Sequence, residues 1–280
     1  MTTHLAERDG PERLHHAPII GPDPGPERWL IMLHGIYGAG RNWASVARRL
    51  SRARPGLGAL MVDLRGHGES PPMSPPHTVQ ACAADLSDVV AANGLEAPAV
   101  LGHSFGGKVA LTYALQTDRP PPSVWVIDST PDVREPAGSA WEMLEVLRRN
   151  PGPFDGRGAA IAALESEGFA TPVAQWMSTN VTADHGGAWR WRLDTDQMED
   201  LLVSFFETDA WSVVEDPPKG THVHFVKASE SGILDMEAQA RIQAAAMRHG
   251  QAHLHIVEGG HWLNADNPDG LHEVLAGEMG

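Results

Sequence analysis

The chain has 280 residues, of which 42% are hydrophobic and 20% are charged, so it is long enough for one large globular domain and too apolar for a disordered protein. Its formal net charge is −15, from 36 acidic and 21 basic residues, which argues against a nucleic-acid-binding protein. Cys82 is its single cysteine, which excludes an intramolecular disulfide.

Residues 1–27 are polar, become rich in Pro and Gly near their end, and are expected to form an N-terminal extension. Within it, residues 14–20 are compatible with an edge strand. The extension begins without the apolar core of a signal peptide, and the chain has no apolar stretch of about 18 residues. We therefore expect a cytoplasmic protein that does not interact with membranes.

From residue 28 onwards, short apolar runs alternate with helical patterns. The predicted strands cover residues 29–33, 59–63, 99–101, 124–127, 222–226 and 253–257. The predicted helices cover residues 42–50, 78–92, 104–115, 236–248 and 270–276. This alternation predicts an α/β fold, with a mostly parallel sheet and helices on both of its faces.

A long interruption, residues 131–218, has helical periodicity and is expected to form a cap on a core made of residues 28–130 and 219–280. Ligands of open parallel sheets bind at the carboxyl ends of the strands, where such a cap would enclose a pocket. The aromatic residues of this region either fill the core of the cap or line the pocket. The residues taken as pocket candidates are Tyr37, Trp189, Trp191 and Trp262.

The most informative motif is at residues 102–106, which read Gly-His-Ser-Phe-Gly between an apolar run and a helical pattern. In that setting G-x-S-x-G is typical of a sharp strand-to-helix turn that exposes the serine hydroxyl next to a helix N-terminus. A serine hydroxyl is a weak nucleophile on its own, and it needs a base and donors for the oxyanion. Ser104 is therefore the predicted nucleophile.

The predicted base is His261, which lies on a glycine-rich loop directly after the last predicted strand. The predicted oxyanion donors are two backbone amides. One belongs to Phe105, which follows the nucleophile, and the other to Ile36, in the loop that follows the first central strand. His103 precedes the nucleophile, and we expect it to pack there rather than to react.

Together with residues 63–70, Asp-Leu-Arg-Gly-His-Gly-Glu-Ser, these motifs resemble the α/β-hydrolase superfamily from about residue 28 to the end. The resemblance implies the α/β-hydrolase fold and a Ser-His-acid triad. In this family residues 63–70 support the architecture beside the site, so we assign no catalytic role to Arg65 or His67.

The triad acid is open between two places. Many members carry it after the penultimate strand, where Ser231 stands here, with Glu230 and Asp235 nearby. The other place is Asp128, at the end of a buried strand. The chain resembles a branch of small bacterial esterases and their mitochondrial relatives that carry Gly-His-Ser-Met/Phe-Gly-Gly-Lys and then an Asp before x-x-Pro. That resemblance favours Asp128, whose other interpretation is a strand-end turn former.

The resemblance implies a serine hydrolase that cleaves a small-molecule carboxylic ester or thioester through an acyl-enzyme, as a monomer or homodimer and without a cofactor. The alternatives are a lactonase, an amidase or a carbon–carbon bond hydrolase on the same triad, because cap and pocket side chains set the scissile group. A ligand-binding receptor with a vestigial triad is the alternative from another class.

Two histidine pairs suggest a metal site. His222 and His224, like His253 and His255, are spaced by two, so each pair lies on one face of its strand. If these strands are neighbours, four imidazoles meet, and zinc would accept them. No acidic or cysteine ligand pattern accompanies the histidines, and they lie toward the strand starts, so we expect no metal.

Overall fold

A seven-stranded sheet forms the centre of the protein. The computed structural model describes residues 13–21, 25–184 and 186–279. The strands are β1 (His16–Ile19), β2 (Arg28–Leu33), β3 (Leu57–Val62), β4 (Ala99–His103), β5 (Ser123–Ile127), β6 (Val181–Ala183), β7 (Trp189–Trp191), β8 (His222–Ala228) and β9 (Ala252–Val257). The central sheet has the order β1-β3-β2-β4-β5-β8-β9, while β6 and β7 form a separate antiparallel pair.

Every neighbouring pair in the central sheet is parallel except β1 and β3, which are antiparallel. From β2 the chain first adds β3 on one side and then β4 on the other. The loops that follow β2 and β4 therefore diverge at the carboxyl edge of the sheet, and such a switch point opens a crevice for a ligand. The predicted α/β class and mostly parallel sheet are confirmed.

Helices cover both faces of this sheet. The helices are α1 (Ala44–Ala53), α2 (Val79–Ala92), α3 (Phe105–Gln116), α4 (Ser139–Arg149), α5 (Arg157–Ser166), α6 (Thr171–Met177), α7 (Thr195–Glu207), α8 (Ser212–Glu215), α9 (Met236–His249), α10 (Leu263–Asp266) and α11 (Pro268–Glu278). Within the described ranges, none of them combines the length and the apolar character needed to cross a bilayer.

Strand β2 shows how the alternation of side chains builds the core. Leu30 and Met32 are fully buried in the cluster that includes side chains of α1 and α11. Ile31 and Leu33 are fully buried in the opposite cluster, which includes side chains of α2 and α3. Because successive side chains of a strand point to opposite faces, an unbroken apolar run is what a strand covered on both sides requires.

The chain between β5 and β8 carries helices α4 to α8 together with the β6–β7 hairpin, which the helical periodicity did not indicate. Buried side chains of α4 and α7 belong to the same apolar cluster as those of α2 and α3. The buried Lys108 on α3 also donates hydrogen bonds of 2.7 Å to the carbonyl oxygens of Asp132 and Phe205. These contacts attach the inserted segment to the sheet.

The N-terminal extension contributes β1, an edge strand within residues 14–20, while residues 1–12 lie outside the described part of the chain. The other central elements match their predicted positions to within a few residues. The largest difference concerns the predicted helix 42–50, where the chain forms a short 3₁₀ turn, Gly40–Trp43, and continues into α1.

Candidate active site

The turn from β4 to α3 holds Ser104 in a strained backbone conformation, with φ of 50° and ψ of −114°. Positive φ is uncommon for a residue with a side chain, and such strain concentrates at functional sites. A hydrogen bond of 2.9 Å from the Ser104 N–H to the carbonyl of Ile127 anchors the turn to β5. A Cβ on Gly102 would collide with the carbonyl oxygen of Gly106, so this glycine is required by close approach of the backbone.

Asp128 and His261 meet at the carboxyl edge of the sheet. The Nδ1 atom of His261 lies 2.7 Å from Oδ2 of Asp128, and the other oxygen of Asp128 accepts a bond of 3.1 Å from the N–H of Ala228. Burial opposes ionisation of this carboxyl, but the bonds from His261, Ser231 and Ala228 outweigh it and hold the pKa of Asp128 below its usual range. An ionised Asp128 accepts the Nδ1 proton, which leaves Nε2 of the neutral ring as a base.

Of the two other acids near this loop, Asp235 is engaged elsewhere and Glu230 faces solvent. Asp235 caps α9 by accepting a 2.9 Å bond from the N–H of Ala238, and it also pairs with Arg134 at 2.8 Å. Glu230 is exposed. Ser231, at the other place considered for the acid, contributes instead to stabilising the Asp128 carboxylate. Of the candidate acids, Asp128 is the one in contact with the His261 ring.

His103 holds the loop of His261 in place through a hydrogen bond and a ring contact. Its Nε2 donates a 2.8 Å bond to the backbone carbonyl of His261, and the two ring centres lie 4.5 Å apart. Burial lowers the pKa of His103 to about 3, so its ring is neutral. A Cβ on Gly35 would lie 2.9 Å from the Nδ1 of His103, which explains why glycine stands there. The packing role expected for His103 agrees with these contacts.

Two further buried histidines fix the loop of residues 34–38. His34 Nδ1 donates to the Gly35 carbonyl at 2.7 Å, and its Nε2 accepts from the N–H of Leu64 at 3.0 Å. His67 Nδ1 donates to the carbonyl of Arg65 at 2.8 Å, and its Nε2 accepts from the N–H of Tyr37 at 3.0 Å. The bonds of His34 with Leu64 and of His67 with Tyr37 tie the loop to the segment after β3, and the other two bonds orient the two rings. Sequence reasoning gave His67 no specific contact, although its motif was noted.

The loop also presents the second amide of interest. Ile36 is buried and lines the same cavity as Ser104, and no described residue accepts a hydrogen bond from its N–H. Phe105 is the first residue of α3, where the N–H groups of the first turn have no acceptor within the helix. Both amides are therefore available as donors to a ligand.

A cavity of about 350 Å³ brings these groups together. Ser104, His261 and Ile36 line it, and so do the pocket candidates Tyr37 and Trp262. The hydroxyl of Tyr37 donates a 2.8 Å bond to the carbonyl of Ala140, so this ring also links the loop to the inserted segment. In the described residues Ser104 and His261 face the same cavity without a hydrogen bond between their side chains, a contact that in free enzymes commonly tightens only with substrate.

The assignment of Trp189 and Trp191 to the pocket needs correction. Both lie on β7, outside the described lining of the cavity. Trp191 packs edge-on against Phe154 and donates a 2.7 Å bond to the carbonyl of Asn150, while Trp189 pairs with Phe154 through the backbone. They anchor the hairpin. Trp176, which lies 5.3 Å from the ring of Trp262, lines the cavity instead.

The cavity is lined mainly by apolar side chains and offers no cationic side chain among the described lining residues. The apolar residues include Met143, Phe169 and Val173. Asp266 is present in the lining. Such a cavity favours an uncharged ligand over one that carries a carboxylate.

Sequence reasoning missed the backbone strain around the site. The described residues other than glycine with positive φ are Tyr37, Ala97, Ser104 and Asp128, with φ of 63°, 41°, 50° and 42°. Three of these four belong to the site. The G-x-S-x-G motif signals the strain at Ser104, and Asp tolerates positive φ, but residue type gave no signal at Tyr37.

Comparison with known proteins gives a consistent result. Residues 28–156 match the family model described as the alpha/beta hydrolase fold. The sn-1-specific diacylglycerol lipase ABHD11 of Mus musculus is 27% identical over 257 residues, which are 88% of this chain and 79% of that protein. Lipase LipV of Mycobacterium tuberculosis is 27% identical over 216 residues, 76% of this chain and 77% of that protein.

Among solved structures, a marine microorganism esterase superposes with a TM-score of 0.80 at 22% identity and covers 94% of this chain and 98% of its own. That likeness shows the fold, and the match of residues 28–156 extends from β2 into the inserted segment. The chain has the α/β-hydrolase fold, matches that family's model over residues 28–156, and as an enzyme resembles the lipases and esterases found by these comparisons.

Proposed function

We propose that this protein is a serine hydrolase that cleaves an uncharged carboxylic ester or thioester through an acyl-enzyme intermediate. The observation that carries the proposal is the 2.7 Å contact of His261 with the buried Asp128, at a cavity that also presents the strained Ser104. A nucleophile, a base and a group that orients the base are the parts that this chemistry needs.

In the first half-reaction, His261 Nε2 removes the proton of the Ser104 hydroxyl as the Oγ attacks the acyl carbonyl carbon. Asp128 keeps Nδ1 protonated and stabilises the imidazolium that forms. His261 then gives the proton to the departing alcohol or thiol as the tetrahedral intermediate collapses, which leaves the acyl group on Ser104. In the second half-reaction, His261 activates a water that attacks the acyl-enzyme and releases the acid.

The amides of Ile36 and Phe105 are the proposed donors to the oxyanion that forms twice in this sequence. Both are available, and both are held by structure: the first by the loop that His34 and His67 fix, the second by the start of α3. Donors that are already in place need no reorganisation during the reaction, and removal of one such donor costs about 10²–10³-fold in turnover in known cases.

The cavity favours an uncharged acyl group. Substrates of a carbon–carbon bond hydrolase that carry carboxylates would need a cation, and the described lining offers none. The names of the two curated relatives are those of lipases, which act on carboxylic esters. A receptor would gain nothing from the strained Ser104, because backbone strain costs about 1–3 kcal/mol at each position and serves no binding purpose there.

The experiment is covalent labelling with a fluorophosphonate, followed by peptide mapping and by hydrolysis of p-nitrophenyl butyrate and of a butyryl thioester. We expect stoichiometric modification of Ser104 and loss of both labelling and hydrolysis in Ser104→Ala. Ser166 is an exposed serine of α5 outside the described lining of the cavity, so Ser166→Ala is the matched control that keeps both labelling and hydrolysis. Labelling at another residue, or hydrolysis by Ser104→Ala near the native rate, would refute the proposal.

A further inference from the structure

A second set of histidines lies on one face of the last two strands. His222 and His224 belong to β8, and His253 and His255 belong to β9, which is its parallel neighbour. The register pairs His224 with His253. Since residues two apart on a strand share a face, the pairing brings all four imidazoles together on the same side of the sheet. We call these four residues the histidine ladder.

The rings of the ladder are ordered in two layers. His222 Nδ1 lies 3.0 Å from His253 Nε2, and His224 Nδ1 lies 3.2 Å from His255 Nε2. The two hydrogen-bonded pairs stack on each other, with the centres of the His224 and His253 rings 4.3 Å apart and 14° from parallel. Trp125 of β5 closes the stack on His224, at 4.0 Å and 11°.

The nitrogens of three members converge. One ring nitrogen from each of His222, His224 and His253 lies within 4.8 Å of the other two. In the His222–His253 pair one nitrogen supplies a proton and the other a lone pair, so a cation that displaces this proton can take both lone pairs after small rotations of the two rings. Metal–imidazole bonds are about 2.0–2.1 Å long, which puts neighbouring ligand nitrogens of one ion at about 3 Å.

We propose that His222, His224 and His253 form a binding site for one divalent transition-metal ion of the nickel, copper and zinc group. Imidazole is the ligand that these metals accept, and they stand at the high-affinity end of the divalent series. A set of three histidines, with one position left to water, is sufficient for zinc without any cysteine or carboxylate ligand. The absence of those ligand types from the sequence pattern therefore does not exclude a site.

The surroundings of the three proposed ligands hold them in place. His224 is buried, and its ring is stacked between those of Trp125 and His253. Its bond to His255 leaves that ring as the outer partner that orients a metal-bound histidine. His222 is exposed and gives an ion access from solvent.

The site is separate from the candidate active site. His222 is the first residue of β8 and His253 the second of β9, whereas Asp128 and His261 follow the carboxyl ends of their strands. A bound ion would cross-link β8 and β9 near their starts. The proposal therefore stands or falls independently of ester hydrolysis.

The test is calorimetric titration of the metal-free, tag-free full chain with ZnCl₂ and with CuCl₂ in a non-chelating buffer. We expect one equivalent to bind with micromolar or tighter affinity, and a hundredfold excess over the Kd to raise the Tm by about 5 °C. With Cu²⁺, electron paramagnetic resonance should show hyperfine coupling to several nitrogens.

The variants His222→Gln and His253→Gln replace ligands that are not fully buried, and each should weaken binding at least tenfold while the Tm of the metal-free protein stays nearly constant. His77→Gln, a histidine outside the ladder, is the matched control and should bind as the native chain does. Absence of saturable binding below millimolar metal would overturn the site, and so would equal binding by the double variant or an equal loss in the control.

Discussion

The same residue type performs opposite tasks at the two ends of the parallel strands. At the carboxyl end, His261 is 30% exposed and faces one fully buried carboxylate at 2.7 Å. At the amino end, the histidine ladder joins imidazole to imidazole, and His224, His253 and His255 all have lowered pKa values. The chemistry of a histidine therefore depends more on its hydrogen-bond partner and its burial than on its residue type or its spacing in the sequence.

The buried histidines His34, His67 and His103 extend this comparison. They sit beside the candidate active site, yet each donates to a backbone carbonyl and therefore holds a loop in place. Burial lowers the pKa of all three. A neutral imidazole that donates to a backbone carbonyl fixes structure, whereas the Nε2 of His261 has no hydrogen-bond partner among the described residues.

The first prediction tests this division of roles by replacing one histidine at each end of the parallel strands. We expect His261→Gln to lower kcat for p-nitrophenyl butyrate by roughly 10⁴- to 10⁶-fold, because it removes the proposed general base. His253→Gln changes the same residue type at the other end and should alter kcat less than twofold. Comparable losses in both variants, measured at equal folded fraction by circular dichroism, would contradict the division of roles.

The second prediction separates the candidate acids. Asp128→Asn should lower kcat by about 10⁴-fold, because an amide at this position favours the wrong tautomer of His261 while its size is unchanged. Asp235→Asn alters an acid engaged with α9 and Arg134, and should stay within a few-fold of the native rate. If Asp235→Asn were the more damaging variant, Asp128 would not be the group that orients the base.

The third prediction concerns stability and pH. Burial, reinforced by His34, lowers the pKa of His67 from 6.5 to about 3 in the native state. Between these values the unfolded chain binds a proton that the native ring does not, so the free energy of unfolding falls as the pH is lowered, by about 1.4 kcal/mol per pH unit for this group.

His67→Gln removes that titration along with two hydrogen bonds. The variant should be less stable than the native chain at pH 7, and the difference in the free energy of unfolding should shrink as the pH falls toward 4. Urea denaturation at pH 7, 5.5 and 4 measures it. A difference that stays constant across these values would mean that His67 accepts protons normally in the folded protein.

How far the sequence determines these features depends on the range of the interactions. The strands, the turn at Ser104 and the fold class follow from local patterns, and the meeting of Asp128 with His261 is anticipated by motif resemblance. The position of Trp189 and Trp191 outside the cavity could not be predicted in this way. Their packing with Phe154 depends on a hairpin whose strands are too short to give a periodic pattern in the sequence. The sequence also left open whether β8 and β9 are neighbours, and the strand order shows that they are.

The last prediction concerns acyl-chain preference. It tests whether Trp176, rather than Trp189 and Trp191, forms part of the cavity wall. Trp176 lines the cavity against Trp262, so Trp176→Ala should open room for longer acyl chains. Each additional buried methylene contributes about 0.8 kcal/mol, or roughly fourfold in kcat/KM, and the preferred p-nitrophenyl ester should lengthen by about two carbons. Trp189→Ala truncates an equal side chain on the hairpin and should leave the chain-length profile as it is. If only Trp189→Ala shifted that profile, the hairpin rather than α6 would shape the acyl site.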